Sequence, residues 1–519
     1  MQNHKAGILP SIAIIILVSQ ILVSCKSGEK ESSDLNAELF QQLDSKRVLL
    51  PDGWSLTPPA NSMDLGDFPM NLVLSSSSKL AAVTNNGRSI QTLMLFDTQN
   101  EKLLDQIEIS KSWFGLKFSE DEKRLYASGG NDNMIRIYEI NNNKLTMKDS
   151  LVLGPPWPVK ISPTGLELNE SAHELYTVTK EDSALYIINI ENHTFEKIAL
   201  PTEGYTCLLG KQRDELYISL WGGGKVAVFD LKAHEIADYI EVESHPNDMV
   251  ITGDGRYLYV ANANSNSVSV IDLTQRKVVE NIGTALFPDA PAGSTPNGLA
   301  LSSDESRLYI ANANNNCLAV FDVSEKGESK GLGFIPTGWY PTSVKVAGHK
   351  ILVANGKGER SLPNPKGPNP YLPMHDSTQY IGRLFKGTLS IIPLPDENDL
   401  NTYSKLVYSN TPYNKKVDKI PEGNPIPVNI DGQSPIKHVF YVIKENRTYD
   451  QVFGDIPSGN GDPNLCLFSE EITPNHHKLA TEFVLFDNFY VNAEVSADGH
   501  NWTMAAYATD FVEKTWPTS

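Results

Sequence analysis

The middle of the chain repeats one pattern of apolar and polar positions. Short segments rich in β-branched and aromatic residues alternate apolar with polar side chains, and each ends at a turn containing Gly or Asn. This period of two residues predicts half-buried β-strands rather than helices. The second strand of each copy carries an apolar pair, usually Leu-Tyr, which recurs with spacings of 50, 41, 42, 50 and 43 residues at Leu125, Leu175, Leu216, Leu258, Leu308 and Ile351.

A third strand completes each copy and ends in an acidic residue or Asn, as in Val226–Asp230. A seventh copy, Leu389–Pro393, follows a long Pro- and Asn-rich insertion. A period of about 40 to 45 residues with three or four strands is typical of a propeller blade, which buries its faces against neighbouring blades. The pattern therefore predicts an all-β, seven-bladed propeller over residues 45–411. We expect a strand near Arg47–Leu50 to close the ring.

The pattern changes after the propeller. Residues 412–435 are rich in Pro, Asn and Lys, which is typical of a linker. His438–Ile443 is apolar without alternation, and this predicts a strand buried on both faces of a parallel α/β sheet. Residues 436–519 are therefore interpreted as a partial α/β domain, with a helix from Trp502 to Glu513. Because open α/β sheets bind ligands beyond the carboxyl ends of their strands, the polar run Lys444–Asp450 lies where such folds place chemistry.

That polar run offers groups for a divalent cation and for a phosphate. The Glu445 carboxylate and the Asn446 amide oxygen are hard ligands suited to such an ion, and Arg447 can bind a phosphate in a bidentate way. Ser496, near the start of the predicted helix, places a hydroxyl where a developing anion is favoured. Helix capping and surface ion pairs are the alternative explanation of these residues.

The N-terminus has the pattern of a targeting segment. Lys5 is followed by an apolar stretch from Ile8 to Val23, which is typical of a secretory signal. The end of this stretch, Leu22-Val23-Ser24-Cys25, resembles a bacterial lipobox. The resemblance implies a signal peptide over residues 1–24 and lipidation of Cys25, whereas a plain signal anchor is the alternative.

The residues after the lipobox indicate how the protein is held. Lys26 directly after the Cys resembles the outer-membrane sorting preference of Gram-negative lipoproteins. Residues 25–44 are polar and charged, and this composition predicts a flexible tether between the lipid and the fold.

Charge and cysteine content narrow the possible partners. The chain has 44 Lys and Arg against 63 Asp and Glu, a formal net charge of −19, which argues against non-specific binding of nucleic acid. Besides Cys25 the chain contains Cys207, Cys317 and Cys466, which are far apart and outside any metal-binding pattern. They are predicted to be buried free thiols.

The loops that enter the innermost strands are expected to surround one mouth of the propeller channel. Their aromatic and polar side chains can hold a ligand or a protein partner, and blade packing and turn chemistry are the alternative explanation. These residues are Trp113, Trp157, Tyr205, His245 and Tyr340.

Two resemblances to known families sharpen these interpretations. Tyr259–Asn262 and Tyr309–Asn312 resemble the YVTN family of bacterial propeller repeats. Lys444–Asp450, with the later runs Asp487–Tyr490 and Asp498–Trp502, resembles a phosphoesterase family that contains bacterial acid phosphatases and phospholipases C. The second resemblance implies that the partial α/β domain is of alkaline-phosphatase-like type.

The phosphoesterase resemblance also implies roles for individual residues. Glu445 and Asn446 would bind the active-site metal, a divalent cation, and Arg447 the substrate. His500 would contact the phosphate or assist proton transfer, and Ser496 is a candidate stand-in for the hydroxyl nucleophile. The family's own nucleophile and its remaining metal ligands are expected beyond residue 519, so we expect residues 436–519 to be the N-terminal portion of a truncated domain.

We therefore expect a secreted, lipid-anchored phosphoesterase of the outer membrane that hydrolyses phosphate esters with a divalent metal ion. The propeller would be its binding or scaffolding domain. The expected partners are a phosphate-ester substrate, the membrane through the lipid, and a protein at the propeller face, with no nucleic acid. The alternative is a non-catalytic propeller lipoprotein with a vestigial hydrolase segment.

Overall fold

The structure is a computed structural model that describes residues 30–59, 62–210, 212–360, 362–369, 371–375, 377–414, 423–426, 432–491 and 493–518. The predicted signal peptide and the lipidation site Cys25 lie outside the described residues. The chain divides into two compact units, of which the first consists mainly of Ser55–Thr411 and the second mainly of Pro412–Trp516.

Seven four-stranded antiparallel sheets form the first unit, which confirms the predicted seven-bladed propeller. The first three strands of the chain are β1 (Val48–Leu49), β2 (Ser55–Leu56) and β3 (Ser62–Asp67). Blade 1 contains β4 (Pro69–Leu74), β5 (Leu80–Asn85), β6 (Thr92–Asp97) and β7 (Lys102–Glu108). Blade 2 contains β8 (Leu116–Phe118), β9 (Arg124–Ser128), β10 (Met134–Asn141) and β11 (Lys144–Val152). Blade 3 contains β12 (Pro163–Asn169), β13 (Glu174–Thr179), β14 (Ala184–Asn189) and β15 (Phe195–Ala199).

Blades 4 to 6 repeat the same order, with the first strand of each blade innermost. Blade 4 contains β16 (Gly204–Gly210), β17 (Glu215–Leu220), β18 (Lys225–Asp230) and β19 (Glu235–Glu241). Blade 5 contains β20 (Pro246–Ile251), β21 (Tyr257–Asn262), β22 (Ser267–Asp272) and β23 (Lys277–Gly283). Blade 6 contains β24 (Pro296–Leu301), β25 (Arg307–Asn312), β26 (Cys317–Asp322) and β27 (Lys330–Pro336). Blade 7 contains β28 (Trp339–Ala347), β29 (Lys350–Gly358) and β30 (Lys386–Pro393), followed by β3 as its outermost strand.

Blade 7 closes the ring by combining the two ends of the propeller. Its outermost strand is β3, in which Ser62 lies opposite Ser390. The expectation that Arg47–Leu50 closes the ring is wrong, because Val48–Leu49 pairs with β2 in a separate two-stranded sheet. The reason is connectivity: in every blade the fourth strand leads into the innermost strand of the next, and β3 is the strand directly before β4.

The Leu-Tyr pairs are buried because each second strand is covered on both faces by a neighbouring blade. Leu258 packs with Val226 and Val228 of blade 4, whereas Tyr259 packs with Leu299 of blade 6. Both members of the pair are therefore at most 1% exposed. Burying one such side chain stabilises the fold by about 1.5–3 kcal/mol, so the repeated pair is a main source of blade cohesion.

The antiparallel order gives the propeller two faces with different loops. In blade 5, Pro246 lies opposite Asn262, Asn262 opposite Ser267, and Ser267 opposite Gly283. The first strand therefore begins at the end where the second finishes, the third begins and the fourth finishes. We call this end the front face; in blade 5 it carries loops 263–266 and 284–295, and the opposite end, the back face, carries loops 252–256 and 273–276.

Two helices pack together on the first unit. The helix Lys30–Asp44 occupies much of the region predicted as a flexible tether, so that expectation is wrong for its described part. Its residue Leu43 is buried in one apolar cluster with Leu400 and Leu406 of the helix Glu397–Asn410. The sequence interpretation missed this second helix, although Asp396 caps its first turn and its apolar residues follow a helical spacing.

The second unit contains the helices Tyr449–Phe453, Pro474–Glu482, Ser496–Ala505 and Asp510–Thr515. The single helix predicted from Trp502 to Glu513 is wrong, because Ala506 adopts a left-handed conformation with φ of 54° and ends the third helix. Among the described residues of this unit there is no strand. No helix in the described part of the chain is both long and apolar enough to cross a bilayer.

The predicted buried strand His438–Ile443 is exposed. Phe440 is 94% exposed and Val439 80% exposed, and the described residues show no ladder pairing for this segment. A strand inside a parallel sheet needs a neighbour on each edge and a covering layer on each face. The described residues of the second unit supply neither, so the segment is extended but unpaired.

Candidate functional site

Three of the residues predicted for phosphoesterase chemistry meet in the second unit. The Ser496 hydroxyl donates a hydrogen bond of 2.9 Å to Glu445 Oε2. His500 Nε2 lies 3.5 Å from the same carboxylate oxygen. Ser496 and His500 are four residues apart in the helix Ser496–Ala505, so both side chains lie on one helix face toward Glu445.

Ser496 does not act as the N-cap of its helix, which was the alternative explanation of this residue. The helix takes Val495 as its N-cap, and Asp498 rather than Ser496 accepts the Val495 backbone amide. Simple capping therefore does not explain the Ser496 side chain, which is directed at Glu445 instead.

Asn446 and Arg447 follow Glu445 in the same exposed turn. The Arg447 guanidinium donates 2.8 Å to the Asn446 carbonyl and lies 5.3 Å from the centre of the Phe468 ring. In the described part of the chain no hydrogen bond or ion pair joins Arg447 to Glu445, Ser496 or His500. Of the three consecutive predicted residues, only Glu445 has a described contact with Ser496 and His500.

The cluster fits a divalent cation by its donor chemistry. Glu445 and Asn446 can supply oxygen ligands, and Ser496 and His500 place a hydroxyl and an imidazole beside the same Glu445 carboxylate. Two tetrahedral ligands held about 2.1 Å from an ion lie about 3.4 Å apart, which is near the 3.5 Å between Glu445 Oε2 and His500 Nε2. Glu445, Asn446 and His500 are exposed, and Ser496 is partly buried.

A second carboxylate cluster lies in the same unit and was missed by sequence interpretation. Oxygens of Glu494, Asp498 and Glu513 lie within 4.8 Å of one another, and Asp498 and Glu513 are buried. Burial, together with Asp510 and Glu513, raises the pKa of the Tyr507 phenol above its usual range. The four-residue spacing of Glu494 and Asp498 was the only sequence signal, and it is shared by many solvated helix faces.

The residues predicted at the channel mouth divide into buried and exposed groups. Trp113, Tyr205 and Tyr340 are each 1% exposed and belong to one apolar cluster. Within it the Tyr205 ring centre lies 5.6 Å from that of Trp113 and 5.1 Å from that of Trp221. The cluster also contains Phe68, Met70, Phe114 and Ala313. Its side chains come from several blades and pack against one another at the front face, so these rings act in packing rather than as an open binding surface.

The other two predicted residues are accessible. Trp157 is 61% exposed, and its ring lies 5.4 Å from Lys160 Nζ. His245 is partly buried, and its Nδ1 lies 3.0 Å from the Ser244 hydroxyl. Trp221 was not predicted for the channel mouth, because it lies in a loop between a second and a third strand. The prediction rested on the loops that enter the innermost strands.

The topology and the buried repeat pairs define the first unit as a β-propeller, a class of domain that serves for binding and scaffolding. A YNCE-like beta-propeller family matches residues 5–349. The chain therefore belongs to the YNCE-like beta-propeller family, which confirms the propeller and leaves residues 350–519 outside the matched stretch.

Individual relatives agree with this assignment. The chain is 24% identical over 195 residues to the uncharacterized protein YncE of Salmonella typhimurium strain LT2, a match that covers 37% of this chain and 54% of that protein. The same figures apply to YncE of Salmonella typhi. The chain thus spans about half the length of the curated relatives it matches.

Solved structures support the fold alone. The WD40 repeats of RRP9 align with a TM-score of 0.51 at 13% identity, covering 64% of this chain and 98% of that one. U3-55K aligns with a TM-score of 0.50 at 13% identity and the same coverage.

Proposed function

We propose that the second unit binds a divalent cation and a phosphate ester as a phosphoesterase site, while the propeller serves as the binding or scaffolding domain. The supporting observation is the approach of Ser496 and His500 to one oxygen of Glu445, at 2.9 Å and 3.5 Å. The proposal includes attachment to the outer membrane through a lipid on Cys25, as the lipobox resemblance implies.

In this proposal the chain's own residues hold the ion and orient the ester. Glu445 and Asn446 hold the cation, which when bound would offset negative charge on the phosphate. The Glu445 carboxylate also orients the Ser496 hydroxyl by accepting a hydrogen bond from it. A hydroxyl oriented in this way is a candidate nucleophile, and His500 beside it can donate a proton to the leaving oxygen.

Arg447 supplies the remaining contact to the ester. Its guanidinium is stacked near Phe468 and hydrogen-bonded to the preceding carbonyl, so its position is restrained before substrate binds. A planar guanidinium can contact two phosphate oxygens at once.

The first test is cation binding, measured by titration calorimetry of the full chain with Mn²⁺. Wild type is expected to bind Mn²⁺, and Glu445→Ala is expected to lose binding by at least about ten-fold, because the carboxylate is the charged ligand. Glu482→Ala is the matched control, since Glu482 is an exposed carboxylate of another helix in the same unit. Equal binding by Glu445→Ala and wild type would overturn the metal assignment.

The second test is hydrolysis of a chromogenic phosphate monoester. Turnover by wild type that is abolished by EDTA and by Glu445→Ala would support the phosphoesterase proposal. Turnover that survives both treatments would contradict it. Absence of turnover despite Mn²⁺ binding would contradict catalysis by this chain and favour the non-catalytic alternative.

A further inference from the structure

The two faces of the propeller differ in their exposed apolar side chains. Front-face loops expose Ile90, Trp157, Tyr371 and Met374, of which Met374 is 77% exposed. In the described back-face loops no large apolar side chain is exposed to a similar degree. Isolated exposed apolar residues are ordinary, but their restriction to one face marks an interaction surface.

These apolar side chains lie on one arc of the front face. Tyr371 and Met374 belong to the insertion between β29 and β30 of blade 7, Ile90 to blade 1, and Trp157 to the connection after blade 2. The innermost strands β28, β4 and β8 contact one another in this order, so the three blades are consecutive. The described front-face loops of blades 4 to 6 carry no exposed large apolar side chain.

The insertion forms a cavity of about 490 Å³ on this arc. Met374, Pro368 and Tyr380 give it an apolar lining, and His375 and Arg383 add basic groups. The loop is shaped by its own hydrogen bonds, because the Gln379 amide donates 2.8 Å to the Lys366 carbonyl. Thr378 and Gln379 complete the described lining, so a cavity of this size can accept an apolar side chain of a partner beside hydrogen-bonding groups.

The Trp157 loop is also fixed before any partner binds. Asn133 Nδ2 donates 2.6 Å to the Pro155 carbonyl and 2.8 Å to the Val159 carbonyl, so one side chain holds both ends of the loop. Its Oδ1 accepts the Ser162 amide at 2.9 Å. A rigid loop presents its exposed tryptophan at a low entropic cost of binding.

Charge distinguishes the partner that fits this surface. Exposed basic side chains lie beside the apolar ones: Lys160 at Trp157, and Arg383 in the cavity with Tyr380. Among the described front-face loop residues of these three blades the basic ones outnumber the acidic ones: Arg88, Lys111, Lys160, Arg360, Lys366 and Arg383 against Asp132 and Glu359. This arc of the front face therefore attracts an acidic partner.

We propose that this front-face arc, comprising the Trp157 loop, Ile90 and the insertion cavity, binds a protein partner through a peptide segment in which apolar side chains adjoin Asp or Glu. The apolar side chains of the segment occupy the insertion cavity and pack on Trp157, while its carboxylates pair with Arg383 and Lys160. The separation of the contacts over three blades fits an extended peptide better than a small molecule. The basic groups are dispersed rather than clustered, which fits a peptide better than an anionic membrane surface.

The test uses a random peptide library displayed on phage and selected on the immobilised full chain. Counter-selection uses the double variant Trp157→Ala/Arg383→Ala. The enriched peptides are expected to combine Leu, Phe or Trp with Asp or Glu. Measured by fluorescence anisotropy, an enriched peptide is expected to bind each single variant at least about ten-fold more weakly than wild type, and to bind more weakly at high salt.

Two variants control for general effects of losing an exposed side chain. Tyr239→Ala removes a 40% exposed aromatic from an outermost strand, and Arg256→Ala removes an exposed arginine from a back-face loop. Both are expected to bind the peptide as wild type does. Thermal melting of the double variant, the two single variants and the two controls checks that all five fold.

Several results would overturn the proposal. Selection that yields no peptide preferring wild type over the double variant would do so, as would enrichment of basic peptides. Loss of binding in Tyr239→Ala equal to that in Trp157→Ala would show that the front face is not special. Binding of phosphatidylglycerol vesicles that is lost in Trp157→Ala/Arg383→Ala, without peptide binding, would assign the surface to a membrane instead.

Discussion

In the propeller, Tyr217 and Leu258 are completely buried, whereas in the second unit Phe440 is 94% exposed and Phe489 77% exposed. Both regions are rich in apolar residues of high strand propensity, so composition does not explain the difference. The repetition of blades explains the difference in burial, because each blade covers a face of the next one. A single apolar run has no such neighbour among the described residues of its own unit.

Both regions hold buried charges in ion pairs, and the candidate site differs from these pairs. In the propeller the buried Glu167 pairs at 2.7 Å with the partly exposed Lys117 of the neighbouring blade, and the second unit buries Lys514 with Asp510 at 3.0 Å. The candidate site of the second unit is more exposed, and one oxygen of Glu445 contacts both Ser496 and His500. Rigid elements for stability and accessible polar groups for binding or chemistry are the usual division in proteins.

The largest expected effect is a loss of packing in the front-face aromatic cluster. Trp221→Ala removes a completely buried ring that contacts Trp113 and Tyr205. Because the site cannot collapse around so large a cavity, the free energy of unfolding should fall by about 3–5 kcal/mol. Denaturant unfolding followed by tryptophan fluorescence and circular dichroism measures this loss.

The same substitution at Trp157 is the control for the comparison. Trp157 is 61% exposed, so Trp157→Ala should change the free energy of unfolding by no more than about 0.5 kcal/mol. If Trp221→Ala were equally mild, the aromatic cluster would not contribute to the stability of the propeller.

The propeller was predictable from sequence because its signal is repeated. Leu216 and Leu258 occupy equivalent positions in successive blades, so a mistaken interpretation of one copy of the repeat is corrected by the other copies. Ring closure by β3 was missed because Ser62–Asp67 alternates weakly and includes Gly66. Its position is set by pairing with β30, more than three hundred residues away in the chain.

The candidate site was predicted only in part. Glu445, Ser496 and His500 could be picked out from the sequence. Their contact depends on how a turn packs against a helix, and the local sequence pattern does not encode that packing. The strand at Phe440 was predicted from a short continuous apolar run. Such a run shows that a segment suits a buried strand, but it does not supply the partner strands.

An intermediate effect is expected at a buried ion pair of the second unit. His477 is 3% exposed, and its Nε2 lies 2.8 Å from Asp455 Oδ1. Burial by itself lowers the pKa of His477, but the Asp455 carboxylate and the Thr473 carbonyl outweigh it and raise the pKa above its usual value. Asp455→Asn replaces the charged acceptor and should destabilise the unit by about 1.5–3 kcal/mol.

The same pair gives the second unit a defined pH dependence. Since the pKa of His477 is raised on folding, its contribution is complete below the unfolded pKa of about 6.5 and is lost as the pH rises through the folded pKa. The pKa of Asp455 is lowered, so its contribution is lost as the pH falls through that lower value. The protection factors for hydrogen exchange in the helix Pro474–Glu482, which correct for the intrinsic pH dependence of exchange, should therefore be largest between about pH 4 and 6.5. Glu471→Gln, at an exposed carboxylate, should keep this profile, and an unchanged profile in Asp455→Asn would refute the assignment.

The smallest expected effect is at Phe440, where the contrast between the two regions is sharpest. Because the side chain is 94% exposed, Phe440→Ser should alter the free energy of unfolding by less than about 0.5 kcal/mol and should improve solubility. Ile456→Ser in the same unit removes a side chain that is 6% exposed, so it should cost about 2–5 kcal/mol and shows that unfolding of this unit is detected. A loss at Phe440 as large as that at Ile456 would mean that the segment is packed in solution. In that case the strand predicted for His438–Ile443 would be correct, and the two regions would follow the same packing rule.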